Sequence, residues 1–348
     1  MMNKYHGRDR VFDFAKFLAI GMVILWHLIS WDEHYAGKSF LVNYIIGYNM
    51  PLFFLISGYF SRKMHETHDW RALLLRLISY IWPMLVFSIL DVLFAMLCGK
   101  KINLVGFWLH DFFLCFWFFW CLGLCDISTF VVFCMPRKSG FYLFCMLCVL
   151  FIIVWLIPLG LYCYGSMVPF YWIGIFLLPY IYSRIDNQNM TWIGVCACGV
   201  YIVVSALEGD VRSNGMGFYW FKMPLNNFEW LGLGIMISRF FMGVLGSVGL
   251  VAILRICISH IKSLEKMSSL GQTTLGVYCL HRYMVSEDIS RGFTGGGEVW
   301  LKVAYALGIF IVSHVFVILT RRLQFLDVLF WGPRRLFSRK SNADMQAN

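Results

Sequence analysis

Three ionisable side chains stand inside the first apolar run of the chain, Val11 to Ser30: Asp13, Lys16 and His27. Lys16 and His27 are eleven positions apart. At about 100° per residue that is three helical turns plus about 20°, so on a helix they share one face about 16 Å apart. An ammonium inside an apolar span is expensive unless it reaches the interface or finds a partner, and Asp13, one turn away, is such a partner. Histidine is the side chain best suited to take a proton from a hydroxyl near neutral pH, because its ordinary pKa is about 6.5. These three residues therefore form a candidate catalytic set. A packing role fits the same pattern, with Lys16 snorkelling to the nearer interface and His27 hydrogen-bonded between helices.

Other residues add possible chemistry. Arg62, Lys63, Arg71 and Arg76 crowd one short stretch. Guanidinium forks and ammonium groups bind phosphates, so this cluster suits a phosphorylated cofactor. Arg62 and Lys63 would equally serve as topology determinants, whereas Arg76 falls a turn or more inside its apolar run. A second histidine, His281, ends the run Leu275-Gly-Val-Tyr-Cys-Leu-His281 and is expected at the depth of His27, where both would face one outward-opening cavity. Ser57-Gly58 lacks the G-x-S-x-G nucleophile elbow, and a small pair of this kind favours close helix packing. Cys145-Met-Leu-Cys148 has no second pair and no nearby histidine, so no metal site is expected. The cysteines fall almost entirely in apolar runs and read as packing residues, not as disulfides.

The elements that must position these residues follow from composition. Of 348 residues, 60% are hydrophobic, 18% aromatic and only 14% charged, and the mean hydropathy is +0.70. That much apolar surface exceeds what one water-soluble core can hide, so the solvent is lipid. A helix needs about 20 apolar residues to cross the hydrocarbon layer. Continuous stretches such as Leu143 to Ile157 lack the alternation of a membrane β-barrel. The expected fold is an all-α polytopic transmembrane bundle of about ten spans, near 11–30, 41–60, 72–97, 108–134, 140–160, 168–183, 191–207, 231–258, 270–286 and 298–320. The first run is a retained span and not a signal peptide, since Trp31-Asp-Glu-His-Tyr35 follows it in place of a small-x-small cleavage site.

Ten spans place both termini on the side that also receives loops near 61–71, 135–139, 184–190 and 259–269. That side holds most of the basic residues, among them Arg8, Arg10, Lys138, Arg184, Lys262 and Arg322, against Lys38, Lys100, Lys101, Arg212, Lys222 and Arg291 opposite. By the positive-inside rule both termini are cytoplasmic. The formal charge of +10 is then a matter of topology and anionic lipid headgroups, and no nucleic-acid partner is implied. Residues 1–325 read as one membrane-embedded domain and 326–348 as a basic cytoplasmic tail. The longest outer loop, Glu208 to Trp230, interleaves polar groups with aromatic rings, a mixture that suits a sugar or an interfacial aromatic belt. No internal repeat is visible, which weighs against a transporter built from two related halves.

Five segments in order resemble the acyltransferase family 3 membrane proteins, and among them the fucose 4-O-acetylase-like branch. Arg10-Val-Phe-Asp13-Phe-Ala-Lys16-Phe-Leu-Ala-Ile followed by His27 is similar to the family's opening motif, a basic residue and a histidine with ten residues between them. Asn49-Met-Pro-Leu-Phe-Phe-Leu-Ile-Ser-Gly-Tyr59 resembles its second-helix motif and Arg76-Leu-Ile-Ser-Tyr-Ile-Trp-Pro83 the basic start of its third helix. Phe116-Trp-Phe-Phe-Trp-Cys-Leu122 resembles its aromatic fourth-helix segment, and the run ending at His281 its late histidine motif. The chain departs from the pattern in two places: position 16 is lysine where many members have arginine, and Arg71 and Arg76 are five apart where the family often has arginines three apart.

The resemblance implies an O-acyltransferase of the plasma (inner) membrane that carries no bound cofactor and uses acetyl-CoA as acyl donor. The donor's phosphates would lie near Arg62, Lys63, Arg71 and Arg76, with Ser57 beside them and Lys16 helping to hold the donor. His27 would be the general base. His281, Tyr278 and Trp117 would line the acceptor side, and the acceptor would be a hydroxyl of a cell-surface polysaccharide or of its lipid-linked precursor. Two other classes use the same features: a multi-pass transporter or flippase of a saccharide or lipid-linked substrate, and a non-enzymatic membrane partner or sensor.

Overall fold

In lipid a backbone N–H or C=O has no water to bond, so apolar runs satisfy these groups within helices. The computed structural model describes residues 9–30, 40–97, 99, 116–136, 138–146, 162–184, 187–207, 230–285 and 299–332. The described residues are helical throughout apart from short turns. Besides a helical stretch over 138–146, the helices in chain order are α1 (Arg10–Ser30), α2 (Phe40–Glu66), α3 (Trp70–Leu97), α4 (Trp117–Cys134), α5 (Tyr162–Arg184), α6 (Asn187–Leu207) and α7 (Trp230–His260). There follow α8 (Lys262–Met267), the 3₁₀ segment η1 (Ser268–Thr273), α9 (Thr274–Met284), α10 (Val299–Arg322) and α11 (Gln324–Trp331). Among the described residues, six helices are long and apolar enough to cross a membrane. The outer loop expected over 208–230, most of the span expected over 140–160, the start of the span at 108 and the tail beyond 332 lie outside the described helices and turns.

Helix α1 is the axis of the bundle. It packs against α2, α7, α9, α10 and η1, and its Phe12, Ala15, Ala19, Ile20, Ile24 and Leu28 are fully buried. Large apolar side chains are exposed on the described helices, for example Leu93, Phe94, Ile311 and Val312, as lipid contact requires. Two glycines bring α2 and α5 into backbone contact: a Cβ on Gly58 would overlap the Tyr171 carbonyl, and one on Gly174 would overlap that of Leu55. Small residues at a crossing permit this approach, which larger side chains would hold apart.

The segment expected as one helix over 270–286 is broken instead. It begins as the 3₁₀ turn η1 and becomes α-helical only at Thr274. The side-chain hydroxyls of Ser268, Ser269, Thr273 and Thr274 each donate to the carbonyl three residues back, and such local bonds compete with the regular α pattern. Gly271 at the centre of the turn presses on the Asp13 carbonyl of α1, where any Cβ would overlap it. At the other end of the chain, α11 folds back on α10 and α3. It buries Asp327 and Trp331, and the Trp331 indole donates to Thr320 Oγ1 at 3.0 Å.

Candidate active site

The rotation of α1 fixes two polar levels. At the lower one, Lys16 Nζ lies 2.7 Å from Asp13 Oδ1 and 5.8 Å from the centre of the Phe60 ring of α2. The i,i+3 register of one helix delivers this pair, and Asp13 is the more deeply buried partner. About 16 Å along the same helix, the His27 ring lies 5.4 Å from that of His281 on α9. His27 also packs against the Trp26 ring at 4.5 Å.

Nδ1 of His281 is 2.6 Å from the Tyr278 carbonyl oxygen. A carbonyl only accepts, so Nδ1 carries the hydrogen and Nε2 is the acceptor of the neutral ring. Tyr278 is buried between Phe118, at 4.9 Å, and Phe119, at 5.2 Å. Trp117 is half-buried on α4 beside Phe118. The structure thus brings His27, His281 and Tyr278 together under an aromatic wall from α4, and it places Lys16 and Asp13 at a separate, lower level.

The residues expected at a phosphate site divide into two groups. Arg62 donates to Glu66 of its own helix at 2.6 Å, Lys63 is exposed, and Arg71 stacks over Trp70 at 5.6 Å; all three sit at the rim where α2 turns into α3. Arg76 lies inside the bundle. Its Nε donates to Asp126 Oδ2 at 3.1 Å and its Nη2 to Ser57 Oγ at 3.0 Å.

Asp126 of α4 is fully buried. Its other oxygen accepts from the Tyr171 hydroxyl, which also lies 2.6 Å from Ser61 Oγ and 3.0 Å from His65 Nε2. A buried carboxylate is tolerable only when paired and hydrogen-bonded, and here both conditions are met. The network ends at His65 Nδ1, which is buried without a hydrogen-bond partner.

Asp126, Tyr171, His65 and Ser61 were not singled out from the sequence. Neither was the pair formed by Arg282 Nη2 and Asp91 Oδ2 at 3.3 Å, nor Lys302, which is 0% exposed near the start of α10. A signal existed for three of them, because Asp91, Asp126 and Lys302 each interrupt an apolar span, where an ionisable residue is a functional candidate by default. Tyr171 carried none, being one aromatic among many in its helix. Among the described residues no three His, Cys, Asp or Glu side chains are grouped so as to hold a metal ion.

Among the described residues, helices long and apolar enough to cross a membrane, with charged groups sealed among them, are the build of a membrane protein. Over residues 9–322 the chain matches the family described as an acyltransferase domain, acyltransferase family 3, and it belongs to that family. No curated protein and no solved structure matches it.

Proposed function

We propose that the chain is a membrane O-acyltransferase of the fucose 4-O-acetylase-like branch, embedded in the plasma membrane. It would transfer an acetyl group from acetyl-CoA to a hydroxyl of a cell-surface polysaccharide or its lipid-linked precursor. The observation that carries this reading is the His27–His281 pair, held inside the bundle of a chain whose family is defined by acyl transfer.

The tautomer of His281 supports a division of labour. With Nδ1 on the Tyr278 carbonyl, Nε2 of His281 is left as an acceptor within reach of the His27 ring, and an N–H of His27 directed to it would keep the other His27 nitrogen unprotonated. That nitrogen takes the proton of the acceptor hydroxyl. His281 orients the base, as the third member of a triad does. The acceptor oxygen attacks the thioester carbonyl carbon, the C–S bond breaks, and the thiolate leaves with the proton returned by His27, so ester and thiol are the products. Holding both substrates in one site supplies much of the acceleration.

The donor enters from the cytoplasmic rim, where Lys63 and Arg71 have no carboxylate partner among the described residues, and its acyl end passes the level of Lys16 to reach His27. Tyr278, His281 and Trp117 face the acceptor.

The test is acetyl transfer from labelled acetyl-CoA in membranes at matched protein levels. His27→Ala is expected to lower the rate by about 10² to 10⁴, and His281→Gln by less, with KM for the donor little changed in both. Full activity of His27→Ala overturns the mechanism. Saccharide movement without consumption of acetyl-CoA overturns the assignment in favour of a transporter.

A further inference from the structure

The Arg76–Asp126 pair is accessible from one side only. Asp126 is 0% exposed, whereas the Arg76 side chain is 18% exposed. Asp126 and Ser57 take Nε and Nη2 of the guanidinium, and Nη1 has no hydrogen-bond partner among the described residues. The exposed part of the pair thus belongs to Arg76, whose Nη1 is the guanidinium nitrogen left to donate, about 9 Å along α3 from its start at Trp70.

Charge decides what this edge of the guanidinium binds. Asp126 compensates Arg76 at contact distance, so the site offers directed N–H groups with little net charge. A phosphate brought to this depth would lose its water and meet a neutral pair, which is unfavourable. A neutral carbonyl oxygen loses little and gains a charge-assisted hydrogen bond. Uncompensated cations are found at the rim instead, at Lys63 and Arg71.

The surroundings point the same way. Arg76 lies over the Tyr80 ring at 5.9 Å, Tyr80 stacks on Phe119 at 6.4 Å, Phe119 meets Tyr278, and Tyr278 meets His281 at 5.3 Å. An unbroken line of rings runs from the donor edge to the histidine pair. A thin chain with alternating methylene and amide groups suits such a wall.

Resting on the reading of acetyl-CoA as donor, we propose that Arg76 hydrogen-bonds an amide carbonyl of the donor's pantetheine arm and not its phosphates, with Asp126 and Tyr171 as positioning residues that hold the guanidinium edge. Asp126 fixes Nε, Tyr171 fixes Asp126, and Ser57 fixes Nη2, so the remaining edge has one orientation.

Acetyl-pantetheine keeps both amides and the thioester and lacks every phosphate. Transfer is measured from acetyl-CoA and from acetyl-pantetheine with the full-length protein in membranes. In the double variant Arg76→Gln/Asp126→Asn, which leaves no unpaired buried charge, KM is expected to rise about tenfold or more for both donors by the same factor, with kcat little changed. In Asp126→Asn alone KM rises for both donors as well, since the edge loses its orientation.

A rise confined to acetyl-CoA places Arg76 on the phosphates and overturns the proposal. Unchanged KM for both donors, with only less folded protein, makes the cluster structural and overturns it too. If the double variant does not accumulate, Arg76→Lys gives the same comparison, because it keeps a charge beside Asp126 and loses the fork. Wild-type protein that transfers from neither thioester refutes the donor reading itself, a result distinct from either failure above.

Discussion

Asp9 shows how one side chain can serve a helix and burden it. Standing just before the first residue of α1, it accepts the Val11 N–H at 2.9 Å, as residues preceding a helix commonly do. It lies just outside the span, where burial pushes its carboxyl above the ordinary carboxylate value of 3.8, against the opposing pull of the Val11 and Phe12 backbone bonds and of Arg255. The sign follows from linkage: a carboxyl raised in the folded state binds protons more tightly there than in the unfolded chain, so stability falls as pH rises through that range. Asp9→Asn keeps an acceptor for Val11 and removes the charge. It is expected to unfold at a higher temperature than wild type at pH 7, with the difference shrinking toward pH 4. Thermal unfolding in detergent at both pH values checks this, and a lower midpoint for the variant at pH 7 contradicts it.

At the scale of elements, the positions of the buried groups depend on how closely the helices cross. Tyr171 reaches Asp126 because α5 lies against α2 at Gly58 and Gly174. Gly174→Ala would place a methyl group on the Leu55 carbonyl and push the helices apart, at a cost of about 1–3 kcal/mol. Lower thermal stability is expected together with weaker transfer, because Tyr171 moves with its helix; Gly199→Ala, whose added Cβ meets nothing within 4 Å, should leave both unchanged. Equal stability of the two variants argues against a tight crossing. The broken segment η1–α9 depends on α1 in the same way. Gly271 seats the turn on Asp13, and α9 then rises to present His281 to His27.

For the whole molecule, the basic residues at the helix ends predict an orientation with both termini cytoplasmic. A fluorescent protein fused after Asn348 should be bright, and alkaline phosphatase fused after Arg212 should be active, because the first folds in the cytoplasm and the second only outside. Active phosphatase at the C-terminus would invert the arrangement and put His27 on the cytoplasmic side. The sequence alone determined the membrane class, because an apolar excess of this size has no other solvent, and it determined the Lys16–Asp13 pair, because neighbours one turn apart meet on any helix. The helical register also placed Lys16 and His27 on one face. It did not reveal that η1 breaks a span, since four back-bonding hydroxyls and one glycine resemble ordinary span residues in composition. Only the tertiary structure joined Arg76 to Asp126, fifty residues on, and His27 to His281. Contacts within a helix follow from its fixed pitch, whereas contacts between helices follow from crossings, and those are set by small residues and shape complementarity spread over the whole bundle.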